Sequence, residues 1–402
     1  MNRVAITGAG TINALGRDVA ETFAAFRAGR PGIGPLDIPD VERLHIRIGA
    51  AVPGWRPEDH FDAQRLAFLD RHTQFALVAA RQAITQAGLA FDAPLGETTG
   101  VVLGTAGGGL NTSDESYRAV YGEGRNRVHP FTVPRLMANA AAAQIAIEWG
   151  LRGPNFTVAT ACASSNHAMG LAFQLIRAGS APVIVTGGAE AMLCFGGLKA
   201  WEGLRVMSPE ACRPFSANRS GLVQGEGAAV FVFEDWDHAR RRGADILAEV
   251  AGFSMNADAK DIVVPDQSGA ERAMAAALRD AGLGAGEVGY INAHGTGTKL
   301  NDKMECAAIR AVFGAAAEQV AVSSTKSMHG HAIGAAGAIE ILACLMALRE
   351  GVVAPTIGYE VPDLDCDLDI VANAARQADI RATISNAFAF GGQNAVLALK
   401  RA

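Results

Sequence analysis

The sequence specifies an α/β protein built from two βα-rich halves, and three features carry that reading. Short β-branched runs alternate with longer amphipathic runs along the whole chain. The 46 glycines fall at the junctions between those runs and not in repeats. Half of the 402 residues are hydrophobic and 19% are charged, which provides for a large core and argues against disorder.

Residues 4–7 read as a strand and 19–27 as the helix after it. Residues 34–65 are irregular and contain prolines, so they read as loop and surface excursion, or equally as a cap or partner surface. Strands follow at 101–104 and 158–161, a helix at 164–178, and strands at 183–186 and 228–234. After about residue 250 the series restarts: strand 247–253, helix 268–281, strand 290–293, helix 304–313, strand 320–323, helix 333–350, and strands 384–386 and 395–400. Two units are therefore expected, 1–250 and 251–402, with buried sheets covered by helices.

The bulk numbers exclude several roles. A net charge of −6 argues against a nucleic-acid partner. It leaves room for an acidic protein partner, because docking needs only a local basic patch. Arg240, Arg241 and Arg242 form one basic cluster, which also reads as a solvated helix end. The first residues begin a strand without a basic-then-apolar leader, so no signal peptide is expected. The longest apolar run, 332–348, carries Gly334, Gly337 and Glu340 and is too short and polar for a bilayer span. The six cysteines show no paired spacing, so neither disulfides nor a zinc site is expected, and the cytoplasm is the expected location. His329 and His331 form a His-x-His pair without a suitably spaced third ligand, and no metal is assigned.

Four residues carry the chemistry. Cys162 follows a β-branched run and precedes an amphipathic one, which puts it in a strand–turn–helix corner. A thiol at a helix start feels the positive end of the dipole, which favours the nucleophilic thiolate. Most intracellular cysteines are simply buried, so the position alone decides little. His294 stands where an apolar strand meets a Gly/Thr turn, and His331 where another such strand meets a small-residue turn and a long apolar helix. A lone histidine is usually structural. Two histidines and Lys326 on strand-end loops, beside a helix-start cysteine, are a different matter.

The chain resembles the elongating, KAS II-like β-ketoacyl-acyl-carrier-protein synthases of the thiolase superfamily. The likeness spans nearly the whole length. It rests on the runs at 4–10, 28–33, 150–154, 160–165, 187–190, 213–216, 225–227, 294–298, 326–331 and 388–392, in that order and spacing. The resemblance implies a five-layered α-β-α-β-α fold of two pseudo-repeated halves. The first carries the nucleophilic cysteine; the second carries the histidines and lysine. It implies acyl transfer to Cys162, decarboxylation of a malonyl-carrier protein, and attack of the resulting carbanion to give a 3-ketoacyl product. The oxyanion formed at the thioester needs backbone donors, for which the amides of Cys162 and Phe390 are the candidates. The imidazoles of His294 and His331 suit the enolate.

Lys326 has three possible uses: lowering the thiol's pKa, orienting His331, or holding a carboxylate. Glu340 is the partner the resemblance suggests. Thr296 and Thr298 suit the pantetheine arm or malonyl group, although threonine after glycine is also common turn chemistry. Asp302 and Glu305 are expected to cap and brace the helix beyond His294. Phe388 and Phe390 read as a gate over the thiol or as core, with the gate favoured for Phe390. No cofactor is implied beyond the phosphopantetheine of the acyl-carrier protein, and a homodimer or a heterodimer with a paralogue is expected.

Some residues depart from the housekeeping pattern. His329 and Gln393 stand where threonines are usual, and Ala389 where glycine is. Residues 66–70 are apolar where basic residues often serve carrier docking. Gly107 and Thr132 occupy acyl-pocket positions where bulkier residues are common, which suggests a wider tunnel. These departures suggest a specialised member, of the aryl-polyene, nodulation or polyketide kind. A thiolase would need a second catalytic cysteine in the C-terminal glycine loop. A non-catalytic, chain-length-determining partner would usually lack the nucleophile.

Overall fold

A computed structural model describes all residues, Met1–Ala402. Its ten main strands are β1 (Val4–Asn13), β2 (Gly100–Gly104), β3 (Asn155–Val158), β4 (Val183–Glu190), β5 (Gly227–Asp235), β6 (Ala248–Ala257), β7 (Tyr290–Asn292), β8 (Ala321–Ser323), β9 (Ala382–Ala389) and β10 (Gln393–Lys400). They pair in the order β3-β2-β4-β5-β1-β6-β10-β9-β7-β8. Counted outward from the β1–β6 junction, each half runs first, fifth, fourth, second, third. The pairings match as well. Each half has two parallel ladders at its outer end and two antiparallel ones toward the junction. The halves join only where Val4, Ala5 and Ile6 pair antiparallel with Val250, Glu249 and Ala248.

Helices make the other three layers. Helix α1 (Arg71–Ala87) covers the outer face of the first half, and α2 (Ser164–Arg177) its inner face. Helices α3 (Gln267–Ala281) and α4 (Lys299–Phe313) cover the outer face of the second half. Helix α5 (Ala336–Glu350) lies beside α2, and both touch strands of both halves. The sheets therefore stack across α2 and α5, giving five layers, α-β-α-β-α.

Side-chain alternation explains the layering. Val183 and Val185 enter the outer core of the first half, whereas Ile184 enters the central core. In the second half Val396 and Ala398 face outward, and Leu397 and Leu399 face the centre. Period-two strands buried on both faces read as continuous apolar runs. Helix α5 is buried from Ala336 to Leu348, on every side, as a helix between two sheets must be. Each of its Ile and Leu side chains contributes about 1.5–3 kcal/mol by leaving water.

Several boundaries differ from the sequence reading. Helix α1 was not expected; Asp70 caps it by accepting from the His72 amide, and Gly88 ends it in a left-handed turn. Strand β1 continues through Gly8 and Gly10 because α1 packs directly on it. A Cβ at either position would sit 2.0 Å from a carbonyl oxygen, of Ala83 or Ala79. Helix α4 starts at Lys299, earlier than expected, because Thr298 caps it. Strand β3 ends at Val158, so residues 159–161 lie in a turn and not in the sheet. Within 34–65 only two-residue strands and single helical turns form. No helix is long and apolar enough to cross a membrane.

Candidate active site

Four chain segments bring the candidate residues to one cleft of about 290 Å³, whose lining is completed by residues from 201–206, 220–222 and 263–265. The four are the β3–α2, β7–α4 and β8–α5 connections and the end of β9 with its turn. Cys162, His294, His331, Thr296, Thr298, Phe388 and Phe390 all line the cleft.

The β3–α2 corner is sharp. Ala161 is left-handed, with φ 48°, a conformation that costs a non-glycine residue about 1–2 kcal/mol. Ser164 holds the turn: its hydroxyl accepts from the Thr160 amide at 2.9 Å and donates to the Ala161 carbonyl at 2.7 Å. Cys162 is left 5% exposed, in the lining of the cleft.

Histidine 294 is fixed through its backbone. The amides of His294 and Gly295 each donate to Glu305 at 2.8 Å, and the Asn386 carboxamide donates to the same carboxylate at 3.1 Å. Asp302 braces the same loop by accepting from the amides of Gly297 and Phe215. Capping of α4 falls to Thr298 and not to Asp302 or Glu305, because only Thr298 stands ahead of the first turn. The Thr296 and Thr298 hydroxyls lie 2.9 Å apart.

Histidine 331 is clipped by its main chain to Val223 and Gly225. Both of its ring nitrogens lack a protein partner. The His294 and His331 rings are 5.5 Å apart and nearly perpendicular. The Cys162 sulfur and one nitrogen of each ring lie within 4.8 Å of one another. Such a soft S/N set suits zinc, and it equally brackets the oxygen of a small carbonyl group. His329 lies outside this set, with its Nε2 3.0 Å from the Thr325 hydroxyl.

Lys326 is fully buried. Its ammonium donates to the Glu340 carboxylate and, at 2.6 Å, to the His294 carbonyl. Phe388 packs edge-on against His294, with centroids 6.2 Å apart. Phe390 is half-buried at the mouth and stacks on Trp201 at 5.9 Å.

The electrostatics are those of a dry site. Burial pushes the Cys162 thiol up to about 12, against the pull of the Lys326 charge and of the Phe390 and Cys162 amides. The expectation of a dipole-favoured resting thiolate is thereby corrected. Helix α2 opens at Ser164, beyond the cysteine, and desolvation outweighs the helix end. Burial, reinforced by the Lys326 charge, holds both His294 and His331 well below the ordinary histidine range. Both imidazoles are neutral at neutral pH, and each carries one N–H donor and one lone pair. Burial pushes Glu305 up to about 7.

Gly107 and Thr132 do not line the cleft. The Thr132 hydroxyl donates to the His129 carbonyl at 2.8 Å. A Cβ on Gly107 would sit 2.4 Å from the Met192 methyl. The volume missing at 107 is therefore supplied by a side chain distant in sequence, which corrects the expectation of an open tunnel there. Glu190 underlies this loop. Its carboxylate accepts from the Thr105 hydroxyl and the amides of Ala106, Gly107 and Gly334. Trp201, Glu190, Asn386 and Met192 were not singled out from the sequence. Only Glu190 had a signal there, as the last residue of the Gly-Gly-Ala-Glu run.

Comparison with known proteins agrees with this geometry. Residues 1–239 match the family model described as beta-ketoacyl synthase, N-terminal domain, and residues 247–360 match the corresponding C-terminal domain. The chain is 48% identical over 399 residues to nodulation protein E of Rhizobium sp. (strain N33), covering 99% of each. It is 39% identical over 406 residues to 3-oxoacyl-[acyl-carrier-protein] synthase 2 of Staphylococcus aureus (strain COL), covering 99% of this chain and 98% of that one. Among solved structures, the ishigamide ketosynthase/chain length factor superposes with a TM-score of 0.95 at 37% identity, covering 100% of this chain and 99% of the other.

Proposed function

Because the chain belongs to the β-ketoacyl synthase family of condensing acyltransferases, we propose that it joins an acyl group held on Cys162 to malonyl-acyl-carrier protein. The observation that carries this reading is the convergence of the Cys162 sulfur and two neutral imidazoles within 4.8 Å.

In the loading step the thiol proton passes to an imidazole lone pair as sulfur attacks the carrier thioester. The amides of Cys162 and Phe390 receive the oxyanion, and the departing pantetheine sulfur takes the proton. In the second step malonyl-carrier protein loses carbon dioxide. The N–H groups of His294 and His331 hold the enolate oxygen, each worth roughly 3–4 kcal/mol in the transition state. The new carbanion attacks the acyl carbonyl, the carbon–sulfur bond breaks, and a solvent proton restores the thiol. Lys326 and Glu340 act as a positioning pair: the ammonium on the His294 carbonyl fixes that loop, and its charge adds to burial in keeping both imidazoles neutral. Thr296 and Thr298 receive the pantetheine arm, Phe388 packs behind His294, and Phe390 closes the mouth.

The carrier protein is the partner, and its phosphopantetheine is the only group the reading requires. A second subunit covers the apolar residues Tyr117, Tyr121, Phe131, Val133, Met137 and Ile147; it is a second copy or a paralogue. Higher identity to nodulation protein E than to the Staphylococcus synthase supports a specialised pathway. The test is to offer a panel of acyl-carrier donors and weigh the intact protein. One acyl group should appear, mapped to Cys162 and lost in Cys162→Ala. An adduct on another cysteine, or none from any donor, overturns the reading. The latter outcome would favour a chain-length-determining partner.

A further inference from the structure

The cleft offers a second use for the same atoms. The Cys162 sulfur and one nitrogen each of His294 and His331 lie within 4.8 Å of one another. They come from three separate connections, so no spacing along the chain announces them as a set. We propose that these three atoms bind zinc or a similarly soft divalent cation, and that the bound ion reversibly blocks the acyl site.

The donor set is that of an open zinc centre, with three protein ligands and a fourth position left to the cleft. With Zn–S of about 2.3 Å and Zn–N of about 2.0–2.1 Å, tetrahedral ligand atoms stand about 3.3–3.6 Å apart. The three atoms therefore have to close by no more than about 1.5 Å. Side-chain rotation can supply that. His331 is 1% exposed, yet neither of its ring nitrogens has a protein partner. An ion gives this dry imidazole a bond that the fold does not. Both imidazoles are neutral, so each has a lone pair to offer. On binding, the S–H bond breaks, the Zn–S bond forms and the proton leaves to solvent. A coordinating thiol is deprotonated outright by its metal. The Lys326 ammonium opposes a second cation nearby, but Glu340 neutralises it.

The ion is exchangeable. Ligating histidines usually donate their other N–H to a carboxylate or carbonyl, and loss of that partner weakens binding about 10- to 100-fold. His331 has no such partner. Binding rests on this geometry alone. The block of loading rests on the function proposed above, because the ion takes the sulfur and both enolate-holding nitrogens.

The purified chain, dialysed against a chelator and titrated with Co²⁺, should develop a sulfur-to-cobalt charge-transfer band and tetrahedral d–d bands. Zn²⁺ should erase both. Cys162→Ser should lose the charge-transfer band. His294→Ala and His331→Ala should weaken binding by at least about tenfold, whereas His329→Thr, outside the set, should not. In the parent protein, zinc should stop acyl loading of Cys162 and a chelator should restore it, a readout that needs no variant to fold. Cobalt bound without the sulfur band, a band that survives Cys162→Ser, or equal weakening in His329→Thr and His331→Ala overturns the metal site and leaves the acyl role of Cys162 intact. Normal loading under saturating zinc overturns the block. A parent that shows the band but accepts no acyl donor in the absence of metal overturns the proposed function and leaves the metal site standing.

Discussion

The two halves share a strand order and pairing pattern, yet they carry different chemistry. In each, the third strand feeds a central helix through a connection with a left-handed non-glycine residue three positions before the helix. These are Ala161, φ 48°, before α2 and Ile333, φ 42°, before α5. The first connection, residues 159–163, is short and presents one sulfur. The second, residues 324–335, is long enough to hold Lys326 and His331 on one excursion. Carboxylates also recur: Glu190 gathers the amides after β2, and Glu305 those after β7. One backbone plan thus serves for a nucleophile on one side and for its electrostatic partners on the other.

The largest effect should come from the buried Lys326–Glu340 ion pair, where the first half buries an aspartate–histidine contact, Asp70–His72, instead. Lys326→Met leaves the buried Glu340 carboxyl without its partner and should cost about 3–5 kcal/mol in denaturant unfolding. Lys326→Met with Glu340→Leu should recover most of that loss. Equal stability of the single and double variants would break the contrast between the halves.

Replacing either imidazole should separate the two steps. His294→Ala and His331→Ala should each still load Cys162, while condensation falls about 100- to 1,000-fold. Normal condensation in both variants would remove the enolate role from the second half.

The left-handed corners offer a smaller test. Ala161→Gly should change unfolding stability by no more than about 1 kcal/mol, since relief of strain and the added entropy of glycine oppose each other. Ala161→Val, β-branched at the same φ, should be clearly worse and should slow loading. If valine is tolerated as well as glycine, the corner is not what positions the thiol.

The effect that is smallest at neutral pH, and grows only on acidification, is that of His329. Burial lowers His329 to about 3. The unfolded chain binds its proton near pH 6.5, so stability is full above that value and declines as pH falls from 6.5 toward 3. His329→Thr should flatten that decline by up to one proton's worth of slope. An identical slope would mean that His329 is charged in the folded protein.

Much of this was legible in the sequence. Period-two and long amphipathic runs gave the α/β class, and the restart after residue 250 announced a second series of elements. Cys162, His294, Lys326 and His331 stood out because glycines and small residues surround them at strand ends, where backbone must turn tightly. Other features had no local signature. The alanine-rich face of α1 is disclosed only by its fit against Gly8 and Gly10. The resting state of Cys162 depends on desolvation by segments far away in the chain, which local sequence does not encode. Gly107 reads as open space until folding lays Met192 across it. The sequence by itself determined which groups are present and which turns hold them, because those follow from neighbours a few residues apart. Only the tertiary structure decided how dry the thiol is, which carboxylate meets which amide, and what fills the gap at 107. Those depend on contacts between residues that are distant in the chain and adjacent in space.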